Sequence, residues 1–109
     1  MTYVPNLKGY SESELNMAKL AKALSHPARI RIMELLEKSE SELYCNDLVT
    51  QLPLSQASVS QHLRELKAEK LIIATVKPPK VGYTIHPQNW KMSKSFMVQF
   101  IKSVFNNTP

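Results

Sequence analysis

Glycine and cysteine are nearly missing from this chain of 109 residues, which holds two of the first and one of the second. Gly9 and Gly82 stand far apart, so no glycine-rich loop is available to cradle a phosphate. Cys45 has no partner for an internal disulfide, which fits a reducing cytoplasm. No apolar run approaches the ~20 residues needed to span a bilayer. The opening MTYVPNLKGYSESE lacks the basic-then-apolar order of an export signal. The expectation is a cytoplasmic protein with no membrane role. Paired-carboxylate signatures, motifs joining a nucleophile to a base, and cofactor loops are also missing, so neither enzymatic activity nor a cofactor is expected. The length fits one domain covering 1–109.

Acidic residues are scarce in one half only. Residues 1–53 hold six Lys/Arg and seven Asp/Glu, a net of −1, whereas residues 54–109 hold eight and two, a net of +6. The whole excess of +5 therefore lies in the second half, on Arg64, Lys67, Lys70, Lys77, Lys80, Lys91, Lys94 and Lys102. A basic face gives sequence-independent, salt-dependent affinity for phosphates.

That half opens with SQASVSQHLRELK, residues 55–67. Ser55 is a good N-cap. Val59, Leu63 and Leu66 recur at helical spacing and form an inner face. The outer face carries Ala57, Gln61, Arg64 and Ala68, with Gln56, Ser58 and Ser60 exposed near the start. Short side chains allow close approach to a base-pair edge, where Gln suits adenine, Arg suits guanine and Ser suits either. The segment reads as a DNA recognition helix, with Ser55, Gln56, Ala57, Ser58, Ser60, Gln61, Arg64 and Lys67 as the contacting set.

The flanking pattern supplies a context. A Ser11-x-x-Glu14 capping box opens a first helix through about Leu24. Pro27 suits the first turn of a second helix, to about Lys38, expected to bury Ile30, Met33 and Leu36, with Ile32 and Leu35 flanking. Leu43-Tyr44-Cys45 is a minimal strand. Asn46 can cap a short third helix, Asp47 to Gln51, and Pro53 stops it before Ser55 starts the fourth. Two helices joined by so short a turn make a helix-turn-helix. After it the period changes. Ile72 to Lys77 reads as a strand, Pro78 to Gly82 as a breaker and Tyr83 to His86 as a second strand. Lys77 and Lys80 stand near the tip of this hairpin, where they can reach a phosphate. A final helix runs from Gln88 to about Asn106. The fold class expected is mostly α with a small β-hairpin wing, in the order α-α-β-α-α-β-β-α: a winged helix-turn-helix.

Three segments, LAKALSHPARIRIMELL at 20–36, NDLVTQLPLSQASVSQHLRELKAEKLI at 46–72 and KVGYTIHP at 80–87, together resemble the ArsR/SmtB family of bacterial winged-helix repressors. The resemblance covers Leu20 to His86, with His26 where the family often has Asp. It implies a homodimer that binds an imperfect palindrome in double-stranded DNA and blocks transcription until an inducer lowers its affinity. A metal inducer does not carry over. Arsenic-type members begin the third helix with two cysteines flanking one residue, as in ELCVCDL; here the segment is ELYCNDL, so Tyr44 and Asn46 take those positions. Zinc-type members draw ligands from the last helix, yet residues 88–106 contain no His, Asp, Glu or Cys. No metal site is expected, the inducer is left open, and His26, His62 and His86 are read as packing or capping residues. Cys45 can be read as a redox or electrophile sensor or as a small buried apolar residue, and the second reading is preferred because no Lys, Arg or His adjoins it in sequence. A winged helix used for docking a protein is the alternative outside DNA binding, and the basic half argues against it.

The last helix places Trp90, Met97 and Val104 seven residues apart, with Phe100 and Ile101 between them and Ser93 allowing close approach. Phe96 and Phe105 broaden this apolar surface. With Leu15, Met17, Leu20 and Leu24 of the first helix, it is expected to form a dimer interface built from about 11–25 and 88–106, as the family resemblance implies.

Overall fold

The computed structural model describes residues 9–105. Helix α1 spans Glu12–Ala23, α2 Pro27–Lys38, α3 Cys45–Val49, α4 Gln56–Ala68 and α5 Pro87–Phe105. Strand β1 is Leu43–Tyr44, β2 Ile72–Lys77 and β3 Lys80–Ile85, in an antiparallel sheet ordered β1-β3-β2. The chain is a winged helix-turn-helix in the expected element order.

Local chemistry sets most of the boundaries. Ser11 and Glu14 form the reciprocal capping box, with Glu14 N–H donating to Ser11 Oγ at 3.1 Å and Ser11 N–H donating to Glu14 Oε1 at 2.8 Å. Ser55 Oγ accepts from Ser58 N–H at 3.2 Å and so caps α4. Two His-Pro pairs open the other long helices by one device. His26 Nδ1 accepts from Ala28 N–H at 3.0 Å, and His86 Nδ1 accepts from Asn89 N–H at 3.2 Å. The proline then occupies a first-turn position that needs no donor. The end of α4 is a Schellman motif: Leu71 N–H donates to Leu66 O, Lys70 N–H donates to Lys67 O, and Lys70 takes φ = 60°.

Four details differ from the sequence expectation. Helix α3 begins at Cys45 rather than Asp47, because the carboxylate of Asp47 accepts from Tyr44 N–H at 2.8 Å and starts the turn earlier. In the hairpin only Pro78 and Pro79, joined by a cis peptide bond, separate the strands; Lys80, Val81 and Gly82 pair with Lys77, Val76 and Thr75. Gly82 is thus a ladder residue, and it is buried, with the carboxyl group of Glu42 lying where a Cβ would stand. On α2 the inner face is Ala28, Ile32, Met33 and Leu36, whereas Ile30 is 41% exposed. The α2 stripe is therefore rotated toward Ile32.

The core draws on every layer. Ile32, Met33, Leu48, Val59, Leu63 and Leu66 are its fully buried members, and Leu20, Leu36, Leu71, Ile72 and Trp90 close it. The Trp90 indole N–H donates to Glu37 Oε2 at 2.6 Å, and Lys94 Nζ lies 3.0 Å from Glu37 Oε1. These contacts fix α5 to α2, and the indole hydrogen bond is the main reason the Glu37 carboxyl sits below its usual pKa.

Candidate nucleic-acid interface

Helix α4 turns Val59, Leu63 and Leu66 into the core, which leaves the opposite side to solvent. Gln56, Ala57, Gln61, Arg64 and Lys67 are exposed there. Arg64 Nη2 donates to Gln61 Oε1 at 2.7 Å, and Gln61 Nε2 donates to Glu65 Oε1 at 3.0 Å. Gln61 and Arg64 thus stand side by side with their amide and guanidinium groups oriented by one another. Four of the five guanidinium N–H donors are left for another partner. Ser55 is exposed at the N-terminus, and its hydroxyl also donates to Ser58 Oγ at 3.1 Å. Ser58 and Ser60 are half-buried on the two flanks of the face. Ser60 Oγ lies 3.5 Å from Cys45 Sγ, so part of its hydrogen-bonding capacity is turned toward α3. That contact also locates the half-buried Cys45 at the packing of α3 on α4.

The hairpin brings Lys77 and Lys80 to the ends of its two-residue turn, as a register pair. Neither is free of protein contact. Lys77 Nζ is 2.6 Å from Glu42 Oε1, and this pairing raises the lysine pKa and lowers that of the carboxylate. Lys80 Nζ lies 5.0 Å from the centroid of the Tyr44 ring, a cation–π distance. Sequence spacing gave no sign of Glu42 or Tyr44, because both partners lie more than thirty residues away along the chain. Tyr83 stands half-buried between these groups and α4, and burial pushes its phenol pKa up.

The residues expected at a subunit interface divide in two. Leu20, Trp90 and Ser93 are buried inside the protomer, and Met17, Leu24 and Met97 pack partly on its core. Leu15 is half-buried. A buried indole cannot also face a partner, so the expectation for Leu20, Trp90 and Ser93 is corrected: α5 lies against α1 and the core along that stripe. Phe100, Ile101 and Val104 are 52%, 53% and 54% exposed, Met92 and Val98 are similarly exposed, and Phe105 is more so at 71%. Among the described residues no group of three or more His, Cys, Asp or Glu is placed to hold a metal ion, and no helix is long and apolar enough to cross a membrane.

An amphipathic fourth helix in a helix-turn-helix, exposing Gln and Arg beside a basic hairpin, is the arrangement of a winged-helix transcriptional regulator. The family model for bacterial regulatory proteins of the arsR family matches residues 26–74. The transcriptional activator HlyU of Vibrio cholerae is 35% identical over 89 residues, covering 75% of this chain and 81% of that protein. The HTH-type transcriptional regulator CmtR of Mycobacterium tuberculosis is 29% identical over 96 residues, covering 88% and 80%. A possible ArsR-family regulator of Mycobacterium bovis, solved by NMR as a homodimeric winged helix-turn-helix DNA-binding domain, superposes with a TM-score of 0.64 at 19% identity, covering 100% of this chain and 98% of that one. The chain belongs to the arsR family of bacterial regulatory proteins, and its function is regulation of transcription through DNA binding.

Proposed function

We propose that the protein is a cytoplasmic homodimeric repressor that reads an imperfect palindrome, one α4 per half-site. The carrying observation is the exposed Gln61–Arg64 pair on α4, with Gln56 and Ala57 beside it. In this reading Gln56, Ser58, Ser60, Gln61 and Arg64 face base edges. Ser55, Lys67, Lys77 and Lys80 meet the sugar-phosphate backbone and Ala57 permits the close approach. Two helices about 34 Å apart enter successive major grooves on one face of the duplex. Dimerisation is supported by the apolar residues that α5 leaves exposed, since a large contiguous apolar surface usually marks an interface.

One relative is an activator, and the sign of regulation follows from where the bound site lies relative to the promoter. Selection of duplexes from a random library by the purified protein tests the reading. The expected product is a two-fold related motif that, set over a promoter, lowers reporter output. A non-symmetric motif, or raised output from that position, would contradict it.

A further inference from the structure

Arg29 of α2 reaches in two directions. Its Nη1 donates to the carbonyl of Ala23, the last residue of α1, at 3.2 Å. Its Nε donates to Nδ1 of His62, in the middle of α4, at 3.1 Å. The His62 ring lies against that of His26, centroids 4.3 Å apart and planes tilted by 43°. His26 in turn caps α2 through its own Nδ1. The end of α1, the start of α2 and the middle of α4 therefore meet in one polar cluster, and His62 is the immediate neighbour of Gln61 on the reading helix.

Both Nδ1 atoms act as acceptors, so each neutral ring carries its proton on Nε2. An imidazolium has N–H on both nitrogens and accepts nothing. Protonation of His62 would point an N–H at the Arg29 N–H and set two cations at hydrogen-bond distance. Either the ring turns or the guanidinium withdraws, and withdrawal also removes the bond to Ala23. Burial holds His62 below the usual histidine range, His26 and Arg29 act in the same direction, and Glu65 opposes them. Glu65 is a half-buried carboxylate on the same helix that already accepts from Gln61. From α1 the cluster receives only the backbone carbonyl of Ala23.

We propose that Arg29 and His62 are positioning residues for the reading helix, and that proton uptake at His62 unseats α4 and lowers affinity for DNA. The proposal rests on the DNA-reading role of α4. Its sign is fixed: the bound form needs a neutral ring, so apparent affinity falls with the fraction of protein that keeps one. An unperturbed histidine titrates at about 6.5, and His62 lies lower, so the loss begins below that value and deepens with acidity.

The test uses the full chain and a duplex recovered from a random library at about pH 7.5, with binding measured by anisotropy there and at about pH 5.5, where circular dichroism reports an intact fold. Affinity is expected to be lower at the lower pH than at the higher, by the factor that the protonated fraction of His62 sets. Calorimetry in two buffers of different ionisation enthalpy should show protons released on binding near pH 6. His62→Asn offers an amide oxygen near the Nδ1 position and cannot take up a proton. Whatever its affinity at the higher pH, it should show little further change at the lower. Equal parental affinity at both pH values, proton uptake on binding, or an unchanged pH slope in His62→Asn would each overturn the proposal. Should that variant misfold, calorimetry on the unaltered protein decides alone. Recovery of no duplex would instead overturn the DNA-reading role itself.

Discussion

Arg64 and Lys80 both carry positive charge, yet their surroundings give them different work. Arg64 is joined to Gln61 on the exposed face of α4, where a planar guanidinium can meet a guanine edge in two hydrogen bonds. Lys80 stands over the Tyr44 ring beside the hairpin turn, as a point charge suited to phosphate. Arg64→Ala should cost about 1–3 kcal/mol on the preferred duplex and much less on random sequence. Lys80→Ala should weaken both alike and reduce the salt slope by about one. Anisotropy titrations at several salt concentrations separate the two, and equal losses for Arg64→Ala on both duplexes would remove its base-reading role. Lys70 is a second residue-scale case. Its φ of 60° closes the Schellman motif at the end of α4, a conformation that glycine adopts without strain. Lys70→Gly is expected to stabilise the protein by about 0.5–1 kcal/mol, read from the urea midpoint at an unchanged slope.

At the scale of elements, the packing of α5 on α2 depends on one aromatic side chain. Trp90 is buried and donates to Glu37, so Trp90→Ala loses both packing and a charge-assisted bond and should cost about 3–5 kcal/mol. Glu37 is more exposed, and Glu37→Gln should cost less than about 1 kcal/mol. Because the folded Glu37 carboxyl sits below its ordinary value, its contribution is complete above about pH 4.5 and is lost as the pH falls further. The difference in urea midpoint between parent and Glu37→Gln should therefore shrink between neutral pH and pH 4. The start of α3 carries another expected outcome. Tyr44 and Asn46 flank the lone Cys45, and a single thiolate is a poor basis for a soft-metal site. Stoichiometric zinc, cadmium or arsenite should leave DNA affinity unchanged. One tight metal per protomer that weakens binding would refute this.

For the whole molecule, the exposed end of α5 is the feature that a single protomer does not use. Phe100 and Ile101 are each about half exposed, so replacing both by Glu removes little from the protomer's own core. The double variant is expected to stay folded by circular dichroism while sedimenting as a monomer at micromolar concentration. Its affinity for a two-fold symmetric duplex should fall far more than its affinity for a single half-site. A variant that still sediments as the parent dimer would move the interface elsewhere.

The local features were legible in the sequence because each is decided within a few residues. Caps at Ser11 and Ser55, proline at the first turn of α2, and the apolar spacing of Val59, Leu63 and Leu66 depend on backbone geometry that neighbours alone dictate. The polar, exposed side of α4 followed from the same spacing. Other features needed the folded chain. An apolar stripe on a terminal helix does not state what covers it, and only the packing of α5 separated buried Trp90 from exposed Phe100. A one-turn helix is too short for periodicity to fix its start, which is why Asp47 moved α3 to Cys45. Gly82 looked like a turn residue until Glu42 came to rest against it. Lys77 with Glu42, and His62 with Arg29 and His26, are pairings across 33 to 36 residues of chain. Nothing local encodes such pairings. They exist because the core brings α2, α4 and the hairpin to fixed distances, and that decides which charges are already engaged before any DNA arrives.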